Sequence, residues 1–122
     1  MKSIVLWICA LISFTAYSQR VEIPDKNFEQ ALIDLKIDSD GLVNGYLLKR
    51  DAELMTSLDI SNRPIKDLTG IEAFTSLLYL YCFDNQLSHL DLKDNTGLMV
   101  VLTDVNELIP PNGMILDMLW FD

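Results

Sequence analysis

The side chains in this chain that could do chemistry are few, and their spacing decides what each could do. His89 is the single histidine, set between Ser88 and Leu90 with no neighbour at a spacing that suggests a nucleophile and its base. Asp91 and Asp94 form an acidic pair among turn-forming residues, where solvated carboxylates are the ordinary case. The sequence holds no H-E-x-x-H, no G-x-S-x-G and no glycine loop of the kind that cradles phosphate. Neither an enzyme nor a cofactor is expected. Asp40, Asn44, Gly45, Leu47 and Asp51 fall at positions 1, 5, 6, 8 and 12 of an EF-hand-like loop. Leu42 stands at position 3, where it cannot ligate, and Asp51 replaces the bidentate glutamate usual at position 12. Starting the loop at Asp38 puts Val43 at the glycine position. Asp40, Asn44 and Asp51 are weak calcium candidates, and a turn rich in Asp, Asn and Gly accounts for them without a metal.

A set of residues suited to binding is more prominent. Tyr79, Tyr81 and Phe83 alternate along the chain and are followed by Asp84; Val100, Leu102 and Asp104 stand 21 residues beyond the three aromatics. Tyr and Phe give contact energy at low entropic cost, so this set reads as a docking face for a protein or a sugar ring. Two simpler accounts compete: the aromatics serve β-propensity, or the apolar tail with Met118, Trp120 and Phe121 folds over them.

Whether these residues share a face depends on the elements that carry them. Leu77, Leu80, Cys82, Asn85 and Leu87 recur 21 residues later as Leu98, Val101, Thr103, Asn106 and Leu108, and 22 residues earlier as Met55, Leu58, Ile60, Arg63 and Ile65. The shared skeleton, L-x-x-L-x-[LC]-x-x-N-x-L, is the leucine-rich repeat signature. A unit this short cannot bury a core alone, so neighbours must stack. The expected fold is α/β: a short leucine-rich repeat solenoid with parallel strands on one face and an N-terminal capping helix. Repeats span 55–76, 77–97 and 98–118, the last losing its pattern after Leu108, where Pro111 and Gly113 replace apolar positions. Skeleton residues point inward. The outward grid is Ser57, Asp59, Ser61 and Asn62, then Tyr79, Tyr81, Phe83 and Asp84, then Val100, Leu102, Asp104 and Val105. Asn85 and Asn106 suit an amide ladder that satisfies backbone groups at the bend of each coil, with Arg63 in that slot in repeat one. In the return halves Leu68 and Ile71 match Leu90 and Leu92, and Phe74 matches Asn95. Cys82 occupies an inward slot and reads as a small core hydrophobe.

Around this array lie other segments. Residues 1–18 read as an export signal, with Lys2, an apolar run from Ile4 to Phe14, and Ala16-Tyr17-Ser18 before the cut. That run is too short to span a membrane, so no membrane insertion is expected after its removal. Residues 19–54 supply the cap and a linker. Asp25 is a candidate N-cap, and Phe28, Ala31, Leu32 and Leu35 form one apolar stripe, with Glu29, Gln30 and Asp34 off it. Asn44-Gly45 could close a hairpin, or the linker could turn into a short helix around Lys49 to Leu54. Residues 109–122 are an irregular or truncated tail, and self-association through the last repeat is one consequence of an open end. The whole chain carries 18 acidic against 9 basic side chains, a net charge of −9 that disfavours nucleic acid and anionic lipid.

The segment SLDISNRPIKDLTGIEAFTSLLYLYCFDNQLSHLDLKDNTGL resembles the repeats of secreted bacterial surface proteins of the internalin-like type, and VEIPDKNFEQALIDL looks like the cap that precedes them. The resemblance covers about residues 21–108 and implies binding of proteins or glycans on the concave strand face, at a secreted or cell-surface location. The expected contact residues are Tyr79, Tyr81, Phe83, Asp84, Val100, Leu102 and Asp104. The alternative is a fragment of a longer array with a structural role and no ligand of its own.

Overall fold

The computed structural model describes residues 19–105 and 107–111. The export signal at 1–18, Asn106 with its expected place in the amide ladder, and the tail from 112 on, with Met118, Trp120 and Phe121, lie outside the described residues.

The N-terminal part is built around one helix. Strand β1 (Arg20–Glu22) leads into α1 (Lys26–Asp34), whose first turn is capped by Asp25. The Asp25 side chain accepts the N–H groups of Asn27 at 2.9 Å and Phe28 at 3.3 Å, donors that the helix itself leaves unpaired. Phe28, Ala31 and Leu32 are buried as their spacing predicts. Leu35 is not. It is the C-cap, the backbone reverses at Lys36 with φ 62°, and the side chain stays 40% exposed. Glu29 departs the other way: expected off the apolar stripe, it is fully buried. Its carboxylate accepts the N–H of Asn44 at 2.9 Å and of Gly45 at 2.9 Å, so it supplies acceptors to two donors of that turn. Asn44-Gly45 closes no local hairpin. Strand β2 (Tyr46–Leu48) pairs antiparallel with β1, placing Leu47 opposite Val21, and the chain turns at once into α2 (Lys49–Glu53).

The repeats bring β3 (Ser57–Asp59), β4 (Tyr79–Tyr81) and β6 (Val100–Leu102) into one parallel three-stranded sheet. Leu58 lies opposite Leu80, and Leu80 opposite Val101, so the register of the sheet is the register of the sequence repeat. These three side chains are buried, as are Ile60, Cys82, Leu77 and Leu98. Phe74 joins the same core and packs on Phe28 with ring centroids 6.4 Å apart, tying repeat one to α1.

A further pair of strands lies in the return halves, where β5 (His89–Asp91) pairs in parallel with β7 (Glu107–Ile109). Its register corrects the sequence alignment. Leu108, expected to match Leu87, lies opposite Leu90. At the 21-residue period the partners of His89 and Leu90 would be Pro110 and Pro111. Proline has no N–H to give a ladder. Pairing instead uses the three residues before them, and Leu92 donates its N–H to the Ile109 carbonyl at 2.8 Å. Among the described residues the architecture is thus mixed α/β with three small sheets of two, three and two strands. No helix among the described residues is long and apolar enough to cross a membrane.

Candidate functional site

The bend after each strand is held by side-chain amides and carboxylates. Asn85 donates to the carbonyls of Ile60 at 2.9 Å and Cys82 at 3.1 Å and accepts from the Ile65 N–H at 3.3 Å, bridging repeats one and two. Arg63, in the same slot of repeat one, pairs with Asp34 of α1 at 2.8 Å. That guanidinium, aided by Gln30, holds the Asp34 carboxyl below the usual range. Asn95, where repeat one has Phe74, is a buried amide, unlike the half-buried Asn85, and donates to the carbonyls of Ile71 at 2.8 Å and Phe74 at 3.3 Å. An asparagine at a slot filled by phenylalanine one repeat earlier is the sequence signal for it. Asn62 and Asp84 adopt the same left-handed conformation, φ 58° and 55°, one repeat apart.

These bends and strands set out the face. Ser57, Tyr79 and Val100 form one cross-strand row, and Asp59, Tyr81 and Leu102 the next. Tyr79, Phe83 and Val100 are exposed, Met99 is more so at 62%, and Tyr81 and Leu102 are half-buried. Asp84 and Asp104 are exposed and linked, the Asp84 N–H reaching the Asp104 carboxylate at 3.2 Å. Asp59 accepts the Ser61 N–H at 3.1 Å. Val105 does not belong to the face. It is 2% exposed, drawn inside where the connection from β6 to β7 is three residues shorter than that from β4 to β5.

The other candidates lie apart. Asp40 accepts from Leu42 N–H at 2.8 Å and from the Asn44 amide at 2.9 Å, while Asp51 accepts from the N–H and hydroxyl of Ser39. Their oxygens thus serve the turns that carry them. Asp38 is buried, and burial followed by the adjacent Asp40 pushes its carboxyl up to about 6. Cys82 is buried without a disulfide, and burial drives its thiol up to about 11, so it is a core side chain with little thiolate character. His89 is exposed and lines a recess of about 370 Å³ in the return halves with Asp67, Thr69, Glu72, Asp91 and Asp94.

No family model matches the chain. A 42-residue stretch is 50% identical to internalin J of Listeria monocytogenes serotype 4b (strain F2365), covering 34% of this chain and 5% of that protein. The solved functional domain of InlJ from Listeria monocytogenes, described as including a cysteine ladder, has a TM-score of 0.61 and 29% identity over 74% of this chain and 21% of that one. The CBM51-2 and INT domains of Clostridium perfringens ZmpB share the fold, with a TM-score of 0.56 at 23% identity over 68% of this chain and 18% of theirs. Part of the chain is accordingly similar to internalin J, in sequence over 42 residues and in fold over 74% of its length. This chain spans a small fraction of each of these relatives. Its Cys82 has Ile60 and Thr103 at the equivalent slots on either side.

Proposed function

We propose that this is an exported leucine-rich repeat module, a short solenoid that binds a protein or a glycan at the cell surface through its exposed strand face. It acts by adhesion, without bond-making chemistry. The observation that carries this reading is the register of Tyr79 beside Val100 and Tyr81 beside Leu102, with Phe83 following, an apolar patch that is exposed at Tyr79, Phe83 and Val100 and half-buried at Tyr81 and Leu102. Contiguous apolar surface of this kind tends to mark interaction sites. Similarity to internalin J and the export-signal pattern of residues 1–18 support the surface location.

The test is capture of surface proteins and glycans by the full chain and by a Tyr81→Ala, Phe83→Ala double variant. Loss of two aromatic anchors should weaken capture by about tenfold or more, with circular dichroism and melting unchanged. Equal capture by the two proteins ends this reading. Expression in a bacterial host, with mass spectrometry of the exported product, should find Gln19 at its N-terminus.

A further inference from the structure

We infer that the strand face receives an extended protein segment carrying a lysine or arginine, seated over the Tyr81 and Phe83 rings between Asp59 and Asp104. This rests on the strand-face reading above and narrows it to one partner chemistry. Asp59 stands directly opposite Tyr81 on the neighbouring strand. Strands in a sheet are about 4.8 Å apart, so a cation over the Tyr81 ring comes within reach of that carboxylate. On the other flank Asp104 is the repeat counterpart of Phe83, and its carboxylate lies 3.2 Å from the Asp84 N–H. The aromatic column is therefore crossed diagonally by two carboxylates, with Asp84 at its end.

With Val105 set aside, none of the eleven other grid positions of the three repeats is Lys, Arg or His. Among the described residues the ion pairs join Arg63 with Asp34, Lys49 with Glu53, Arg50 with Asp51 and Lys93 with Asp91, and none involves Asp59, Asp84 or Asp104. Arg63 lines a recess with Asp84 and Asp104 but is committed to Asp34 at 2.8 Å, so the strand positions present acceptors and ring faces complementary to a guanidinium or ammonium. An anionic partner would meet repulsion from three carboxylates on a chain of net charge −9. Tyr79 and Tyr81 project from β4 two residues apart, roughly 6.6–7 Å, which is also the repeat of alternate side chains in an extended peptide. A segment laid along β4 keeps step with the column.

The experiment titrates the isotope-labelled full chain with three probes, followed by amide chemical shifts. They are a nine-residue peptide alternating arginine and serine, the same peptide with glutamine for arginine, and a neutral hexamer of N-acetylglucosamine. The expected result is binding of the arginine peptide, with shifts gathered at 57–61, 79–84 and 100–104. Affinity should fall about tenfold between 50 and 500 mM NaCl. Asp59→Asn with Asp104→Asn should weaken it by about tenfold. Asp91→Asn with Asp94→Asn removes the same charge away from the face and should change it less than about twofold. Equal weakening by both double variants shows attraction to bulk charge and overturns the proposal. Absence of binding by the arginine peptide overturns it as well. Binding of the hexamer alone on these residues also overturns it, yet leaves the strand-face reading standing. Asp59→Asn alone, whose amide oxygen can still accept the Ser61 N–H, repeats the test with the loop bond kept.

Discussion

Replacing Asp25 by asparagine tests how repeat one is held to α1. One carboxylate there accepts four backbone N–H groups: Asn27 and Phe28 at the start of α1, and Lys66 and Asp67 of repeat one at 2.8 and 3.0 Å. Partial burial raises this carboxyl, but the four donors together outweigh it and hold the pKa below its ordinary value. The capping pair is worth about 1 kcal/mol. The two contacts to repeat one are charge-assisted, but the site is accessible, so each contributes about 1 kcal/mol. Asparagine keeps one acceptor and turns its NH₂ toward the other pair of donors, so Asp25→Asn should cost about 2 kcal/mol and Asp25→Ala about 3. For a domain of this size, 2 kcal/mol lowers the melting temperature by roughly 10 °C. The pH dependence has a definite sign. A carboxyl whose folded pKa is depressed stabilises above its unfolded value, about 3.9, and that contribution is lost as pH falls through the folded pKa. Urea denaturation followed by circular dichroism should therefore show the full gap between native chain and Asp25→Asn at pH 7, narrowing below about pH 4. A gap under about 0.5 kcal/mol at pH 7, or one of undiminished size at pH 3, would refute the reasoning.

Three other substitutions address separate parts of the same account. Asn85→Ala leaves the Ile60 and Cys82 carbonyls and the Ile65 N–H without their partner, and should cost about 2–4 kcal/mol in urea denaturation; a loss under about 1 would show that water replaces the amide. Gly70→Ala should destabilise by about 2 kcal/mol or more by the same measurement, because φ is 108° and an added methyl would meet Ile23 and the Glu22 carbonyl; a neutral result would show that β1 yields. Asp38→Asn probes the buried acid, whose folded pKa of about 6 is above its unfolded value. Its favourable contribution is present below about pH 4 and is lost as pH rises through 6, so thermal melts of native chain and variant should agree at pH 4, with the variant ahead by roughly 1–2 kcal/mol at pH 7.5. A variant equal to the native chain at both pH values would contradict it.

How much of this was legible in the sequence depended on whether a residue answers to its own repeat or to something outside it. The repeat period gave the pairing of β3, β4 and β6 and the inward side chains Leu58, Leu80 and Val101, because stacking needs the same residue type at the same step. Asp25 as a cap was legible from local helix chemistry. Its second pair of bonds was not, since Lys66 and Asp67 are 41 and 42 residues away. Glu29 was misplaced for the same kind of reason. Its neighbours on the helix mark it as polar and outward, while the donors that bury it come from a turn 15 residues on. The outward grid followed from strand alternation and failed at Val105, where the chain leaves the repeat. Leu108 failed with it, because an alignment of letters does not weigh the missing N–H groups of Pro110 and Pro111.

Those departures share one cause, and it bears on which repeat would carry the proposed contact face. A repeat with a repeat on each side can satisfy its bend with an amide reaching to its neighbour, as Asn85 does toward Ile60 and Ile65. A coil beside the cap meets a helix instead, and there Arg63 reaches Asp34. Where prolines interrupt the return half, the pairing slips by three residues and Val105 turns inward. Repeat two alone has regular neighbours along its whole strand, and its outward row is the aromatic one. A paired strand on each side holds the register of Tyr79 and Tyr81, with β3 at one edge of β4 and β6 at the other. Repeats one and three then supply the flanking chemistry, carboxylate from one side and apolar surface with a second carboxylate from the other.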